Sequence, residues 1–485
     1  MSIKNLKPAS VWNYFYELTQ IPRPSKKEEK VIAYLLDFAK KHNLDVKKDE
    51  AGNVLITKSA TKGKENLPTV ILQGHVDMVC EKNNDTVHDF DKDPIETIID
   101  GEWVRANGTT LGADNGVGAA AALAILASDD IEHGKLECLF TVDEETGLTG
   151  AYALGKDFLK GDVLINLDTE EEGEVYIGCA GGKGTVATFT YKKESVSANY
   201  FWFKVQVKGL NGGHSGAEIH KGLGNANKIL NRYLWALSRK FDLVLSQIDG
   251  GNLHNAIARE ASAIAGVPYG AKENVIVELN TLLPSIQAEL RSIDPKLEVV
   301  VGSTDTPEFI IDKETTSNLL NALYACPHGV LGMSFEIPGL VETSTNLASV
   351  KMKENNTIVV TTSQRSSTDS LKDDAGNMVN TVFTLAKAEV KHSDGYPGWR
   401  PNPDSKVLGV AKESYKKLFG KEPEIMAIHA GLECGLFLEK YPHLDMISCG
   451  PTIREAHSPA EKVNIESVEK WWNFLLEVLK NIPAK

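Results

Sequence analysis

The sequence predicts an α/β fold with a mixed, largely parallel sheet flanked by helices, and with an α+β domain inserted into it. Three observations predict this arrangement. Short apolar runs alternate with helical segments near both ends of the chain, which is typical of a largely parallel sheet. Between them, "YFWFKVQVKG" at 200–209 alternates with period two, as half-exposed strands do. A chain of 485 residues is also too long for one compact core.

These patterns place the domain boundaries. We expect residues 1–188 and 395–485 to form the two parts of the α/β domain, and residues 189–394 to form the inserted α+β domain. The return to the α/β pattern is marked by "HSDGYPGWRPNPDS" at 392–405. This stretch is rich in Pro, Gly and Asp, which is typical of a linker.

The elements of the α/β domain are predicted from local signals. Residues 9–42 are predicted to be helical, and Ser25 and Glu28 have the spacing of a capping box that opens a helix. Strands are predicted at "NVLITKS", "TVILQGHVDMV", "KLECLFTVDEETG" and "DVLINLDTEEEG", with a tight turn and helix at "GADNGVGAAAALAILASDD". After the linker we expect a helix at 405–419, a strand at "HLDMISCG" and an amphipathic helix around "ESVEKWWNFLLEVLK".

Composition and charge narrow the range of partners. The formal net charge of -14 disfavours nucleic acids and anionic membrane surfaces. The longest apolar stretch, "AAAALAILA", is far shorter than the roughly 20 residues of a spanning helix. The first ten residues lack the apolar core of a secretion signal, and the six cysteines form no CxxC pair. We therefore expect a cytoplasmic protein with reduced thiols.

Side chains that bind metals stand just beyond several of the apolar runs. They are His75, Asp77, Asp114, Glu144, Glu145, Asp168 and His457. The carboxyl ends of strands in an open α/β sheet meet at one rim, where ligands bind. Carboxylates crowded there need a cation, and histidine with Asp and Glu suits zinc, cobalt or manganese. Because the set is larger than one catalytic zinc requires, we expect two ions bridged by a carboxylate.

The spacing of these residues indicates separate roles. On a strand, His75 and Asp77 point to the same face, so Asp77 can accept the free ring N–H of His75 or steady a bound metal. Adjacent Glu144 and Glu145 face opposite ways if strand geometry continues, so one can bind metal while the other is a general base. Alone, each has an ordinary interpretation: a buried histidine, a helix N-cap at Asp114 or a solvated turn. Their joint placement favours a metal site.

Five motifs in this order carry a family resemblance: "GHVDMV", "GADNGVG", "DEETG", "NLDTEE" and "REAHSPAE". They resemble the di-zinc metallopeptidases that include aminoacylases, glutamate carboxypeptidases and carnosinases. The implied roles are His75 and Asp168 as terminal ligands of one ion, Glu145 and His457 as those of the other, Asp114 as the bridging ligand, Glu144 as the general base and Asp77 as the group behind His75. The α/β domain would then be catalytic and the inserted domain a lid.

The resemblance also implies roles for side chains of the lid. His214 in "GGHSG" is similar to the histidine that stabilises the tetrahedral oxyanion, and Asn255 in "HNAI" would add a polar contact. Arg365 in "QRSS" resembles the arginine that clamps the substrate's C-terminal carboxylate. Taken locally, His214 could equally lie in a plain Gly-rich turn, and Arg365 could be an exposed strand residue.

Three functions remain open at this point. The first is a metal-dependent dipeptidase, for which the resemblance implies unblocked dipeptides as substrates, including Xaa-His and β-alanyl-histidine. The second is an N-acyl amino acid deacylase or amidohydrolase with the same di-metal site; a free substrate amine would instead need an anionic partner, for which Glu433 in "GLECG" is the candidate. The third is a metal-buffering or peptide-binding protein. A homodimer through the lid and a monomer with a self-contained site both fit the sequence.

Overall fold

The computed structural model describes residues 2–484, which form two compact units. Within the described residues, unit 1 comprises 2–178, 399–427 and 432–484, and unit 2 comprises 179–398 and 428–431. The chain passes from unit 1 to unit 2 between residues 178 and 179, and it returns to unit 1 between residues 398 and 399. The sequence pattern instead places these two boundaries at 188/189 and 394/395. The first difference arises from one strand, residues 181–190, which pairs within the sheet of unit 2.

Helices occur in both units. Their bounds are α1 Ala9–Thr19, α2 Glu29–Lys41, α3 Ala113–Ala127, α4 Glu144–Gly147, α5 Thr149–Ala153, α6 Ala226–Lys240, α7 Lys272–Leu290, α8 Lys313–Ala325, α9 Asp369–Leu385, α10 Lys406–Phe419, α11 Cys434–Lys440 and α12 Ile465–Asn481. Local sequence accounts for α12, because the Asn464 side chain accepts the Ser467 N–H at its start and Trp471 and Leu475 are buried on one face. No helix among residues 2–484 has the length and apolarity of a membrane span.

The strands are numbered along the chain. Their bounds are β1 Asp45–Lys48, β2 Val54–Lys58, β3 Val70–His75, β4 Thr97–Asp100, β5 Trp103–Ala106, β6 Leu136–Thr141, β7 Val163–Asn166, β8 Glu174–Cys179, β9 Gly181–Thr190, β10 Lys193–Glu194, β11 Tyr200–Lys208, β12 Gly213–His214, β13 Val244–Gly250, β14 Ala256–Ile257, β15 Ala261–Pro268, β16 Glu298–Ser303, β17 Ile310–Ile311, β18 Gly329–Met333, β19 Val341–Lys353, β20 Thr357–Ser366, β21 Glu389–His392, β22 Glu424–Ile428, β23 Asp445–Ser448, β24 Ile453–Arg454 and β25 Lys462–Asn464.

The main sheet of unit 1 has the order β1-β2-β6-β3-β7-β23-β8-β22. The four central strands β6, β3, β7 and β23 are parallel, while β1 and β2 at one edge are antiparallel. Helix α3 packs on β3, and α1 packs on α3. The predicted α/β class with a mixed sheet, parallel at its centre, is confirmed.

The register of the parallel strands brings their carboxyl ends to one rim. His75 pairs with Thr141 across β3 and β6, and Asn166 pairs with Gln73 and Ser448 across β3, β7 and β23. The segments that follow these strands therefore leave the sheet at the same edge. A second sheet of unit 1, β24-β25-β5-β4, carries the loop 455–461 between β24 and β25.

Unit 2 is built on a nine-stranded sheet, as expected for an α+β domain. Its order is β16-β11-β15-β13-β19-β20-β9-β21, with β18 paired to β19. Helices α6, α8 and α9 pack against this sheet. The core between them includes Phe203, Leu234, Val360 and Phe383, each at most 1% exposed. A separate two-stranded ribbon joins β12 to β14.

The predicted capping box at Ser25 and Glu28 is wrong. Helix α2 begins at Glu29, and Glu28 precedes it without a side-chain cap. Ser25 instead donates to Asp77 Oδ2 at 2.7 Å, and Glu28 accepts the backbone N–H of Asp143 at 3.0 Å. Tertiary partners have replaced the local hydrogen bonds that the sequence spacing indicated.

Candidate metal centre and substrate-binding side chains

Different kinds of element deliver the candidate metal ligands in unit 1. His75 is the last residue of β3, and Asp168 follows β7 by two residues. Asp114 lies in the first turn of α3, where its backbone angles are not helical. His457 lies in the loop between β24 and β25 with a positive φ of 63°.

A turn that the sequence did not reveal separates Glu144 and Glu145 from strand β6. Strand β6 ends at Thr141, and Asp143 adopts a left-handed conformation with φ 49°. Glu144 and Glu145 then begin the short helix α4. Strand geometry does not continue into these residues, so the condition for their predicted divergence by strand alternation is not met.

The candidate ligands surround Asp114. Its Oδ1 lies 3.0 Å from Nε2 of His75, and its Oδ2 lies 3.2 Å from Nε2 of His457. His75 Nε2 also lies 3.4 Å from Oδ1 of Asp168, and His457 Nε2 lies 3.0 Å from Oε2 of Glu145. One carboxylate thus stands between two pairs, each with one histidine and one further carboxylate.

Asp77 supports this arrangement through its contacts with His75, Glu144 and Glu145. Its Oδ1 lies 3.3 Å from Nδ1 of His75 and accepts the backbone N–H of Glu144 at 3.1 Å. Its Oδ2 accepts the N–H of Glu145 at 3.2 Å and the hydroxyl of Ser25 at 2.7 Å. The carboxylate is 0% exposed, so it acts through its neighbours and fixes the Nε2 of His75 toward Asp114.

The electrostatics of the cluster favour positive charge. Burial opposes protonation of His75, but the Asp168, Asp114 and Asp77 carboxylates outweigh it and raise its pKa well above the usual value. Hydrogen bonds to Asp114 and Glu145 raise the pKa of His457 to about 11. Burial, with repulsion from Asp114, also raises the pKa of Asp168 to about 7 against the attraction of His75. A bound cation would be stabilised by the same negatively charged carboxylates.

The donor set fits divalent metal ions. Two imidazoles with three carboxylates, and no thiolate, suit zinc and its first-row neighbours. Ligand atoms of His75, Asp114 and Glu145 all lie within 4.8 Å of one another. Oε1 of Glu145 is buried and has no hydrogen-bond partner within the part of the chain that the structure describes. This oxygen is therefore available to coordinate a metal ion.

A second group of buried acids, Glu28, Asp77 and Asp143, has ordinary partners. Glu28 Oε1 accepts backbone N–H groups of Lys26 and Asp143. Asp143 accepts the hydroxyls of Thr146 and Thr149. These hydrogen bonds explain the cluster as support for the turn that carries Glu144 and Glu145.

His214 is held as one tautomer in unit 2. Its Nδ1 accepts the backbone N–H groups of Gly216 at 3.2 Å and Ala217 at 3.0 Å, so the ring proton lies on Nε2. Burial and the charge of Arg365 lower the pKa of His214 and keep it neutral. The ring therefore presents an N–H donor from Nε2. His214 lies on β12, and the neighbouring Ser215 N–H donates to Asn255 O at 2.8 Å.

His214 and Asn255 line the same groove of unit 2, with a volume of about 860 Å³. Arg365 lines a separate cavity of about 340 Å³ together with Lys183, His254 and Tyr396. A Cβ at Gly216 would lie 3.0 Å from His214 Cε1 and 3.2 Å from Arg365 Nε. The structure therefore brings these two side chains together around one glycine.

Tyr396 orients Arg365 and was missed by sequence reasoning. Arg365 Nη1 donates to the Tyr396 hydroxyl at 2.7 Å, and its buried Nε has no hydrogen-bond partner among residues 2–484. The Tyr396 ring packs so closely on Gly182 and Gly431 that a Cβ there would lie 2.6 Å and 2.9 Å away. The glycines of "GCAGG" and "HAGLECG" are the sequence signal, because they make room for an aromatic ring from the predicted linker.

Glu433 lies in unit 1 and is 0% exposed. Its Oε2 accepts the Gln73 amide at 2.5 Å and the Thr141 hydroxyl at 2.8 Å, while Oε1 is buried without a partner in the described chain. Burial, opposed by His75 and reinforced by Asp168, raises its pKa to about 8. A substrate amine could meet Oε1, but Glu433 offers no exposed surface in this structure.

Comparison with known proteins agrees with the motifs. The sequence resembles bacterial cytosolic aminoacyl-histidine dipeptidases in "QGHVDMVCEKN", "LGADNGVG", "GCAGG", "GGHSG", "HAGLECG" and "TSQRSS". The cytosol non-specific dipeptidase of Escherichia coli strain K12 is 46% identical over 483 residues, covering 100% of this chain and 99% of that protein. The crystal structure of aminoacylhistidine dipeptidase from Vibrio alginolyticus matches with a TM-score of 0.93 and 44% identity, covering 100% of this chain and 99% of that one.

More distant relatives share the fold. A tripeptidase from Staphylococcus aureus matches with a TM-score of 0.57 at 18% identity, covering 98% of this chain and 99% of that chain. The family model described as peptidase family M20/M25/M40 matches residues 71–481. That span includes every predicted site residue, and the chain belongs to peptidase family M20/M25/M40, as its ordered motifs predicted.

Proposed function

We propose that the chain is a cytoplasmic, metal-dependent dipeptidase that hydrolyses unblocked dipeptides, including Xaa-His and β-alanyl-histidine. The observation that carries this proposal is the position of Asp114 between His75 and His457, with Glu144 beside the ligand Glu145. The names of the Escherichia coli and Vibrio relatives support a dipeptidase, and the Vibrio name supports histidine in the substrate.

Two divalent ions per chain would occupy the cluster, with zinc the expected metal and cobalt or manganese able to replace it. His75 and Asp168 would hold one ion, Glu145 and His457 the other, and Asp114 both. When bound, the ions polarise the scissile carbonyl and make an attacking water more acidic. The distances around Asp114 support this assignment.

Glu144 is the proposed general base. It takes a proton from the attacking water and returns it to the leaving amine, as a positioned carboxylate can. Asp77 fixes its place through the Glu144 N–H and the orientation of His75 through Nδ1. Unlike Glu145, Glu144 has no hydrogen bond or ion pair to His457 that would commit it as a ligand.

The side chains of unit 2 would bind the substrate. His214 donates from Nε2 to the oxyanion of the tetrahedral intermediate, and its two Nδ1 hydrogen bonds support that role. Arg365, held by Tyr396, clamps the C-terminal carboxylate, so that short peptides fit. Asn255, on the same groove as His214, adds a polar contact.

The two candidate functions differ in the amine of their substrate, which is free for a dipeptidase of unblocked dipeptides and acylated for an N-acyl amino acid deacylase. Glu433 is the candidate to receive the ammonium group: one of its carboxylate oxygens has no partner in the described chain, but the side chain is buried, so its surroundings must open for the amine to reach it. The test is to compare kcat/KM for a free dipeptide and its N-acetyl form. A preference for the free dipeptide supports the dipeptidase, and a preference for the acetylated one establishes the deacylase. Loss of that preference in Glu433→Gln would assign the amine contact.

A homodimer through the inserted domain is proposed as the assembly, with a monomer as the alternative. Light scattering measures the mass, and mixing inactive His214→Ala with inactive Glu144→Gln protein tests whether sites are shared. Recovered activity means that His214 of one chain completes the site of another. No recovery, with a monomeric mass, means that each chain is self-sufficient.

A further inference from the structure

We propose that Arg23 and Glu461 form a buried brace that positions Asp114 between the two metal ions while neither side chain binds metal itself. The inference rests on the proposed di-metal site and concerns how unit 1 holds its central ligand. Both side chains are 2% exposed. Arg23 lies outside the five motifs, and Glu461 is the last residue of "REAHSPAE" but has no role assigned there. They meet at the turn of residues 111–114, which leads into α3.

Glu461 caps the start of α3 from a distant part of the chain. Its Oε2 accepts the N–H groups of Leu111 at 2.7 Å and Gly112 at 2.9 Å. Its Oε1 accepts those of Ala113 at 2.7 Å and Asp114 at 3.3 Å. Four successive N–H groups therefore point at one carboxylate, where the helix has no cap from its own side chains.

Arg23 ties the same turn to the end of β3. Its Nη1 donates to the carbonyls of Val76 at 3.0 Å and Asp77 at 3.1 Å. Its Nη2 donates to the carbonyl of Gly112 at 2.6 Å. A guanidinium fork can span these acceptors, because its donors are rigid and diverge in one plane. The segment after His75 and the turn before Asp114 are thus joined by one side chain.

Gly112 is held by a hydrogen bond on each side of its peptide, because its N–H donates to Glu461 and its carbonyl accepts from Arg23. Its φ of 68° lies in the left-handed region, and a Cβ there would lie 2.5 Å from Arg23 Nη2. The turn consequently has little freedom to move. Because Asp114 follows two residues later, the position of its carboxylate is set by the brace.

The brace also connects Asp114 to His457. Glu461 lies in the loop between β24 and β25 that carries His457, and its N–H donates to Ser458 O at 3.0 Å. The hydrogen bonds of Arg23 and Glu461 to the turn of residues 111–114 therefore link three segments: the end of β3, the start of α3 and the loop that carries His457. Asp114 can therefore stay between two histidines against the repulsion of the other carboxylates.

The test measures metal affinity in the full-length protein. Glu461→Gln keeps the shape but turns one acceptor oxygen into an NH₂ group facing two N–H donors. We expect Zn²⁺ affinity, titrated against a chelating dye, to fall about 10- to 100-fold, the usual effect of losing a group that orients a ligand. The visible spectrum of the Co²⁺-loaded variant should change with the coordination geometry. Arg23→Lys, which keeps the charge and loses the fork, should act in the same direction.

Glu137→Gln is the matched control. Glu137 is 3% exposed and accepts the N–H groups of Lys160 and Gly161 at 2.8 Å and 3.1 Å, away from the metal cluster. It should lose thermal stability but keep wild-type Zn²⁺ affinity. Unchanged affinity in Glu461→Gln, or an equal loss in Glu137→Gln, would overturn the brace.

Two further outcomes are informative. If Glu461→Gln and Arg23→Lys both fail to fold by circular dichroism, the proposal is overturned, since the pair would then maintain the fold and not the metal site. If wild-type protein binds Zn²⁺ but hydrolyses no dipeptide, the proposed function fails while the affinity measurements still decide the brace.

Discussion

At the scale of single residues, the candidate ligands depend on hydrogen bonds behind them. Asp77 illustrates this, because it contacts His75 and accepts the N–H groups of Glu144 and Glu145. One buried carboxylate thereby sets a ligand on β3 and two glutamates after β6. Such supporting groups commonly decide metal affinity and ligand orientation as much as the ligands do.

Glu144→Gln should separate proton transfer from metal binding. The amide cannot act as a base, so kcat for an unblocked dipeptide should fall about 10²- to 10⁴-fold. Zn²⁺ affinity should stay near the wild-type value, because Glu145 and not Glu144 pairs with His457. Glu145→Gln is the comparison, and it should lose affinity as well as activity. Substantial turnover by Glu144→Gln would remove this residue from the mechanism.

Tyr396→Phe should weaken recognition of the substrate's carboxylate. It removes the hydroxyl that accepts from Arg365 and keeps the ring between Gly182 and Gly431. A hydrogen bond to a charged group contributes about 1.5–3 kcal/mol, so KM should rise about tenfold or more with little change in kcat. Tyr415→Phe, which loses a hydroxyl bonded to Glu172, is the control. Equal KM values for wild type and Tyr396→Phe would contradict the assignment.

At the scale of elements, glycines allow strands and loops to approach closely. Strands β9 and β20 pair Gly182 with Arg365, and Tyr396 lies against Gly182. The Gly182 of the "GCAGG" motif is therefore explained by packing. The same logic applies at Gly216, where a Cβ would lie 2.4 Å from the carbonyl of His429.

Gly182→Ala should reproduce the effect of Tyr396→Phe. The added Cβ would lie 2.6 Å from the tyrosine ring, so the ring must shift and release Arg365. KM for an unblocked dipeptide should rise, while its C-terminal amide analogue should be affected little. Gly184→Ala on the same strand is the control, because its Cβ meets a flexible serine hydroxyl at 3.2 Å. If both substitutions change KM equally, the effect belongs to the strand as a whole.

At the scale of the whole molecule, buried His429 and partly buried His328 make stability depend on pH. Burial, aided by the charge of Lys228, lowers the pKa of His328 to about 4. Burial, aided by the charge of Arg365, lowers the pKa of His429 to about 3. An unfolded histidine has a pKa near 6.5. Below that pH the unfolded chain binds more protons, so stability is present above about pH 6.5 and is lost as the pH falls.

Urea unfolding at pH 7 and pH 5 should show this loss. Each histidine should contribute about 2 kcal/mol to the difference between the two pH values. His328→Asn should reduce that difference relative to wild type, and exposed His254→Gln should not. Comparing variants cancels the opposite contribution of His75 and His457, whose folded pKa values are raised. A pH dependence unchanged by His328→Asn would refute the argument.

The sequence by itself determined the α/β class and named the side chains that gather around Asp114. The class follows from local information, because apolar runs define strands and residues after parallel strands share one rim. His457 was identified by the family resemblance, since it lies in a loop of the second sheet and not after a parallel strand. The tertiary structure decided what holds those side chains: Ser25 bonds to Asp77 instead of capping α2, and Glu461 caps a turn 347 residues away. Tyr396 likewise meets Arg365 from another segment. Hydrogen bonds between distant segments leave no periodic signal in one sequence, so only the folded chain reveals them.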